Sequence, residues 1–191
     1  MNTGDPMIHA LLSQRSSPYA FDPERQVSEE DLTALFEAAR WTMSSYNAQP
    51  WRYLVGVRGR SQEVWEKILG VLVEPNQVWA RNAPVLVLTA IEHSFEHNGE
   101  ENKAAQHDLG AASASLTFEA TSRGISVHQM IGIVPQAALD TFAELGSLEP
   151  FTAIAIGYAG HDSVIPAPYA ERQKKPRVRK TVEELIIGGK L

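Results

Sequence analysis

Ten residues, SSYNAQPWRY (44–53), place neutral hydrogen-bonding groups between two apolar segments of the chain. The stretch contains two serines, an asparagine and a glutamine, whose hydroxyl and amide groups donate and accept hydrogen bonds without carrying charge. Such groups suit the binding of a polar ligand. Taken alone, the stretch is equally typical of a loop that caps a helix and leads into a strand.

A second candidate for chemistry is HSFEH (His93–His97), which matches the zinc-peptidase pattern His-x-x-Glu-His. In that pattern two histidines on one face of a helix bind the metal, and Glu96 would act as the base. The context argues against this interpretation, because the motif directly follows an apolar run and Gly99 comes two residues later. We expect an exposed loop instead. A zinc hydrolase using His93, Glu96 and His97 is the less favoured alternative.

Positive charges are concentrated near the C-terminus. Six cations with no acidic residue between them occupy one short segment: Arg172, Lys174, Lys175, Arg177, Arg179 and Lys180. A solvated basic tail is the usual explanation of such a run, but some of these side chains could instead bind a phosphate group. The formal net charge of the protein is −6, which argues against a general nucleic-acid-binding protein.

The composition limits the possible chemistry. The chain contains no cysteine, which excludes disulfides, thiolate metal sites and thiol redox reactions. Any redox function must therefore come from a bound cofactor. The chain has 191 residues, of which 43% are hydrophobic and 21% charged, as expected for one folded domain. The longest apolar run, APVLVLTAI, is too short for a membrane span, and the N-terminus does not resemble a signal peptide, so we expect a cytoplasmic protein.

Hydrophobic periodicity predicts helices mixed with a few strongly apolar strands. The apolar residues that predict the first helix, up to about Gln14, are Met7, Ile8, Leu11 and Leu12. Ser28 and Asp31 mark the start of the second helix in the manner of a capping box, and Gly124 ends a long helix rich in small residues. The other predicted elements are strands at 51–57, 82–91 and 151–159 and a helix at 61–72. This pattern predicts a single layer of sheet in an α+β or α/β fold.

His128 lies in GISVHQMIGI, between the end of the long helix and another apolar stretch. Alone, this position is typical of a buried core histidine, with Met130 filling the space beside it. The other segments of the chain give the stretch a second interpretation.

Five segments in order carry a resemblance that covers the chain from about Ile8 to Leu185. They are QRSSPYAF, SSYNAQPWRY, NQVWARNAPVLVL, HDLGAASASLTFEATSRGISVHQMIG and RVRKTVEEL. Together they resemble the FMN-dependent nitroreductase family. The resemblance implies one FMN-binding domain (1–191) with an α+β sandwich, in which helices flank a mixed central sheet. It also implies a homodimer with FMN at the interface, in which each C-terminal tail is exchanged with the partner.

The resemblance assigns the FMN phosphate to both ends of the chain. The positions that match the family's arginine-and-serine motif are Arg15, Ser16 and Ser17. A guanidinium can bind phosphate oxygens in a bidentate manner, and hydroxyl groups complete the shell. Near the C-terminus Arg179 matches a second basic position best, with Lys180 or Arg177 as its neighbour. This assignment would explain a basic tail in an acidic protein.

The rest of the flavin is assigned to the middle of the chain. Ser45, Asn47 and Gln49 would bind the ribityl hydroxyls and the polar edge of the ring. Asn76 matches an asparagine that binds the pyrimidine ring. The segment that corresponds to the one lying along the isoalloxazine, where a backbone N–H faces N5, consists of His128, Gln129, Met130, Ile131 and Gly132.

One cofactor-binding position departs from the family pattern. Many members carry a second cation after the arginine-and-serine motif, beside N1 and C2=O of the flavin, where this chain has Tyr19. That cation stabilises the negative charge of reduced flavin. Without it we expect a lower two-electron potential, unless Arg52 or Arg81 takes its place.

The implied activity is a ping-pong oxidoreduction of a small-molecule substrate. NADH or NADPH would pass a hydride to N5 of FMN and leave, and a nitroaromatic, quinone or activated alkene would then be reduced. His128 is a weak candidate for a general acid and could equally be structural. The sequence does not select the nicotinamide or the substrate. The alternative of another class is a non-catalytic flavin-binding protein, acting as a sensor or carrier.

The Tyr19 departure gives a prediction. Replacing Tyr19 with lysine should raise the two-electron potential of the bound flavin, because a cation beside the reduced ring stabilises its negative charge. A redox titration against a reference dye measures the potential, with the wild-type protein as the control. An unchanged potential would contradict the assignment.

Overall fold

The computed structural model describes residues 8–189, which form an α+β fold with helices on both faces of one sheet. The strands are β1 (Trp51–Val57), β2 (Val85–Ile91), β3 (Ser126–Met130) and β4 (Glu149–Gly157). The helices are α1 (Ala10–Gln14), α2 (Glu29–Arg40), α3 (Gln62–Gly70), α4 (Glu74–Ala80), α5 (Ala105–Ser122), α6 (Pro135–Thr141), α7 (Ala167–Lys174) and α8 (Val182–Leu185). The α+β class expected from the sequence is confirmed.

The sheet has the strand order β1-β2-β4-β3, and every neighbouring pair within the described residues is antiparallel. The resemblance implied a mixed sheet, which requires at least one parallel strand. Within the described residues no parallel pair of strands occurs. β2 and β4 already have a neighbour on each side. A parallel strand could therefore join only at an edge, beside β1 or β3, where backbone groups remain available for pairing.

β2 shows how the sheet separates two cores. Leu86 and Leu88 belong to the core that contains residues of α3 and α4, whereas Val85 and Val87 belong to the core with α2 and α5. All seven residues of the strand are buried. Because both faces are covered, both alternating sets of side chains can be apolar. This explains why a continuous apolar run predicted the strand correctly.

Two helix boundaries follow the predicted signals. The Oγ of Ser28 accepts a hydrogen bond from the backbone N–H of Asp31 at 2.9 Å, which satisfies one of the free donors at the start of α2. After α5, Gly124 has a φ of 68°, in the left-handed region that glycine adopts without strain. α1 ends at Gln14 as predicted. Met7, one of the residues that predicted it, lies outside the described residues.

Among the helices of seven or more residues, α4, α6 and α7 lie outside the set that the sequence predicted. Each has seven or eight residues, which is about two turns and too few to establish a 3.6-residue apolar period. Each also has a proline in its first turn. Proline is tolerated there because that N–H has no partner within the helix, but in a sequence it suggests a turn.

The packing of α3 on β1 gives a prediction about stability. A Cβ at Gly56 would lie 2.3 Å from Cα of Trp65 and 2.5 Å from its backbone nitrogen. Backbone atoms cannot rotate away, so Gly56→Ala should lower the free energy of unfolding by about 3 kcal/mol, measured by urea denaturation. Gly70→Ala is the matched control, because among residues 8–189 no atom outside the adjacent helix backbone lies within 4 Å of a Cβ there. An equal loss in both variants would contradict this packing.

Candidate functional site

Three arginine side chains from the two ends of the chain meet beside α1. Arg177 donates hydrogen bonds to the backbone carbonyl oxygens of Arg15 and Ser13. The Arg15 guanidinium in turn donates to Oγ of Ser17 at 2.9 Å. Arg179 is close enough to act on the charge of Arg15. The structure therefore brings together residues of the arginine-and-serine motif and of the basic tail.

The electrostatics of this arginine cluster (Arg15, Arg177 and Arg179) favour an anion. Partial burial lowers the pKa of the Arg15 guanidinium, and the positive charges of Arg177 and Arg179 lower it further. No ion pair within residues 8–189 neutralises any of the three. A group with two negative charges would relieve this repulsion and accept several of their N–H donors. The cluster is thus suited to a phosphate group.

Of the two residues considered as neighbours of Arg179, Arg177 contacts the Arg15 segment directly. For Lys180, the described part of the chain shows no such contact. Ser16 lies next to the cluster, in a cavity of about 190 Å³ at the C-terminal end of α5. That cavity is lined by Gln14, Arg15, Ser16, Thr121, Gly124, Ile125 and Ser126.

The polar stretch forms a tight loop between α2 and β1. Three of its non-glycine residues have a left-handed backbone, with φ of 51° at Tyr46, 55° at Asn47 and 46° at Gln49. Such conformations are sparsely populated and persist only where surrounding contacts impose them. Here the Oγ of Ser44 accepts from the backbone N–H of Gln49 at 3.0 Å. The side chain of Asn47 is exposed, so its amide is available to a ligand.

Asp108 is a supporting residue that the sequence analysis did not identify. It lies in the first turn of α5, is 4% exposed, and accepts a hydrogen bond from the backbone N–H of Ser45 at 2.9 Å. A buried carboxylate with a backbone donor fixes the position of the loop. The available signal was an acidic residue within a helix otherwise rich in small and apolar residues.

The residues assigned to the flavin ring lie around the end of β3. The Asn76 side chain donates to the backbone carbonyl of Gly132 at 3.0 Å, and a Cβ at position 132 would lie 2.4 Å from the Asn76 nitrogen. The side chain of Gln129 instead donates to α5, at the carbonyl of Ser113 and Oγ1 of Thr117. The remaining residue is Met130, which is buried. Asn76 and the 128–132 segment are therefore in contact through Gly132.

His128 has structural partners. Its Nδ1 lies 2.9 Å from the carbonyl oxygen of Pro18, which can only accept, so Nδ1 carries the proton and Nε2 is bare in the neutral ring. Burial lowers the pKa of His128, the Arg15 charge lowers it further, and the bond to Pro18 opposes these effects. A neutral imidazole with its proton already bonded is poorly suited to act as a general acid.

Tyr19 lies in an aromatic cluster on the same side of the sheet. Its ring centroid is 4.9 Å from that of His128 and 5.3 Å from those of Trp79 and Tyr169. The two cations that could replace the one missing at Tyr19 are Arg52 and Arg81, and both are exposed and bonded to backbone carbonyls. Arg52 donates to the carbonyls of Gln49 and Trp51, and Arg81 to that of Gln77.

The HSFEH segment is a turn rather than a helix. Ser94 pairs with Glu101 in an isolated β-bridge, and Phe95 donates its N–H to the carbonyl of Glu100. The spacing of two histidines on one helical face is therefore not formed. His93 instead contacts the carboxylate of Glu149. Within residues 8–189 no group of three or more His, Asp or Glu side chains is arranged to hold a metal ion.

The structure does not bring all predicted residues to one place within a single chain. The 44–49 loop is tied to Asp108 at the start of α5, whereas Arg15 shares its cavity with Thr121 at the end of the same helix. These helix positions are 13 residues apart, about 20 Å at a rise of about 1.5 Å per residue. The ribityl chain of FMN is joined directly to the phosphate. One FMN therefore cannot place its phosphate at Arg15 and its ribityl chain at the loop of the same chain.

Comparison with known proteins agrees with this fold. Residues 12–158 match the model of the nitroreductase family. An uncharacterized 15.4 kDa protein of Mycolicibacterium smegmatis is 30% identical over 142 residues, 73% of this chain and 96% of that protein. The major NAD(P)H-flavin oxidoreductase of Aliivibrio fischeri is 46% identical over 50 residues, but this match covers only 26% of this chain and 22% of the relative.

Solved structures extend the likeness over the whole length. A crystal structure described as an oxidoreductase containing FMN is 29% identical to this chain and has a TM-score of 0.89. The match covers 99% of this chain and 95% of that one. A nitroreductase family protein of Clostridium difficile 630 shares the fold at 20% identity, with a TM-score of 0.71 and coverage of 95% and 97%. Among the described helices, none has both the length and the apolar character to cross a membrane. The chain belongs to the nitroreductase family.

Proposed function

We propose that the protein is an FMN-dependent oxidoreductase that uses NADH or NADPH to reduce an electron-poor small molecule by a ping-pong mechanism. The observation that carries the proposal is the arginine cluster, in which guanidinium groups from both ends of the chain come together and form no ion pair with a carboxylate of residues 8–189. The similarity to an oxidoreductase containing FMN and to an NAD(P)H-flavin oxidoreductase supports both the cofactor and the donor.

The residues present fit FMN in their chemistry. The arginine cluster and Ser17 supply charged and hydroxyl donors for a phosphate. The segment is accessible at Ile131, whose side chain is 70% exposed, whereas the space beside Gly132 is filled by Asn76 and Val73. A flat ring could lie along this segment, with Asn76 at its edge. The Oδ1 of Asn76 is free to accept from the pyrimidine N–H, because its amide nitrogen already binds Gly132.

When bound, FMN supplies the redox chemistry by accepting a hydride and passing electrons to a nitroaromatic, quinone or activated alkene. The protein holds the cofactor and leaves one face open for the two substrates in turn. His128 keeps its proton on Nδ1 against the carbonyl of Pro18. Protons for the reduced product therefore come from solvent rather than from this side chain.

We further propose that the site is completed by a second copy of the chain. The loop and the arginine cluster lie at opposite ends of α5, so a partner must supply the loop to each FMN. Consistent with such an interface, large apolar side chains are exposed at the loop and along the C-terminal tail. They are Trp41, Met43, Tyr46, Val178, Val182, Leu185, Ile186 and Ile187. Exchange of this tail in a homodimer would bury them, and each 1–191 chain would act as one FMN-binding domain.

The cofactor and the donor are tested together. The purified protein should show a flavin absorption spectrum that bleaches when NADH or NADPH is added without oxygen, and the faster nucleotide identifies the donor. A yellow protein that does not bleach would indicate a carrier or sensor.

Arg179→Ala should weaken FMN binding by about 10- to 100-fold, because an ionic hydrogen bond is lost. Lys174→Ala is the control, since this exposed cation pairs with Glu171 and should bind FMN normally.

The two-chain site is tested by complementation. Arg15→Ala removes the phosphate ligand, and Asn47→Gly removes the loop amide while keeping a residue that tolerates the φ of 55°. Each variant alone should bind FMN weakly. A heterodimer of the two, purified with different affinity tags, should regain wild-type affinity at about half of its sites, because one site then combines intact parts of both chains. No recovery would show that both parts come from one chain.

A further inference from the structure

The peptide group between Pro18 and Tyr19 is held at both of its polar atoms. Its carbonyl oxygen accepts from Nδ1 of His128 at 2.9 Å. Its N–H donates to Oε1 of Gln173 at 2.8 Å, and the same oxygen accepts from the N–H of Ala20 at 3.0 Å. One peptide unit thus joins β3 to α7 through two side chains that are distant in sequence.

Gln173 is itself fixed on its other side. Its Nε2 donates to Oδ1 of Asp162 at 2.5 Å, so the amide has its donor and acceptor directed at opposite partners. One turn earlier on α7, the ring of Tyr169 lies 5.3 Å from that of Tyr19. The hydroxyl of Tyr169 donates to the carbonyl of Pro75 at 2.7 Å. α7 therefore docks through one face, on which Tyr169 and Gln173 are neighbours.

The position of this peptide in the chain gives it a role in the arginine cluster. Arg15 and Ser17 immediately precede it, and Arg177 and Arg179 follow α7 within six residues of Gln173. The side chains of the cluster repel each other, and Arg177 counteracts this repulsion through its bonds to the carbonyls of Ser13 and Arg15. The bonds of Gln173 and His128 to the Pro18–Tyr19 peptide form a second joint between the two halves of the cluster.

We propose that His128 and Gln173 are positioning residues that set the spacing of the arginine cluster and thereby make the protein select a phosphorylated flavin over an unphosphorylated one. This inference rests on the proposed function. Loss of Gln173 would leave two backbone donors without a partner, and one of them belongs to Ala20, which is fully buried. An unsatisfied buried donor is unfavourable, so the segment that carries Arg15 and Ser17 would move.

The experiment compares FMN with riboflavin, which lacks the phosphate. The affinity of the flavin-free, full-length protein for each is measured by quenching of flavin fluorescence. Gln173→Ala should weaken FMN binding about tenfold and leave riboflavin binding unchanged. Gln136→Ala is the matched control, because this exposed glutamine bonds only to Asp140 on its own helix and should preserve the preference for FMN.

Conservative replacements separate positioning from other roles. His128→Asn places a donor at the position of Nδ1 and should retain the affinity for FMN, whereas His128→Phe should lower it about tenfold. Asp162→Asn keeps an oxygen that accepts from Gln173 and should behave as wild type. Asp162→Ala removes this acceptor and should weaken FMN binding, as Gln173→Ala does. The Asp162 variants leave both backbone donors bonded to Gln173, so they remain informative if Gln173→Ala fails to fold.

The possible outcomes distinguish this inference from the proposed function. A wild-type protein that binds FMN no better than riboflavin would overturn the phosphate site and the joint together. A second outcome is that the wild-type protein prefers FMN and that this preference is unchanged in three variants, Gln173→Ala, His128→Phe and Asp162→Ala. The proposed joint would then be wrong, while the phosphate site would stand. Equal weakening of both flavins would assign these residues to general stability and would also overturn the joint.

Discussion

The arginine cluster is the constraint on which the arrangement of the site depends. Partial burial and the nearby charges of Arg177 and Arg179 lower the pKa of Arg15, and within residues 8–189 no carboxylate pairs with any of the three arginines. Such an arrangement is unfavourable in itself. It persists because Arg177 also donates to the backbone carbonyls of Ser13 and Arg15, which holds two segments together that are 162 residues apart in the chain.

The sheet makes this meeting of the chain ends possible. The segment that follows the serines runs beside the end of β4, where Phe21 pairs with Ala159 and the N–H of Gly160 donates to the carbonyl of Ala20. A Cβ at Gly160 would lie 2.5 Å from the carbonyl carbon of Phe21, so only glycine allows this approach. α7 begins a few residues later and docks on the same segment. Both halves of the arginine cluster are therefore positioned by segments that pack near the end of β4.

The sequence predicted those parts of the fold that rest on local patterns. β1, β2 and β4, the capped start of α2 and the end of α5 were all indicated by apolar periodicity or by cap residues. The short helices α4 and α7 were not, because two turns carry too little periodicity to be distinguished from a loop. α7 matters most among them, since it carries Gln173 and leads into the basic tail.

The candidate site was predictable where a motif marks it and not where a long-range contact creates it. Arg15, Asn76 and the segment around Gly132 belong to motifs that were assigned roles through the family resemblance. By contrast, Gln173 reaches Tyr19 across 154 residues and His128 reaches Pro18 across 110. Nothing in the local sequence of either residue signals these bonds. The sequence also could not show that α5 separates the loop from the arginine cluster, because that follows from the length of the helix and from which end each part contacts.

The distribution of charge along α5 matches what a flavin requires. A phosphate keeps its negative charge throughout a redox cycle, so permanent cations at the C-terminal end of the helix bind it equally well in every state. The ring gains negative charge on reduction, and a strong cation beside it would favour the reduced form. This chain places neutral serine and amide groups in the loop and a tyrosine at the position of the family's second cation. Tyr19 further contributes its backbone N–H to the joint with Gln173. In the proposed site, position 19 thus lacks a cation that would stabilise the reduced ring, while the backbone N–H of the same residue belongs to the proposed joint beside the arginine cluster.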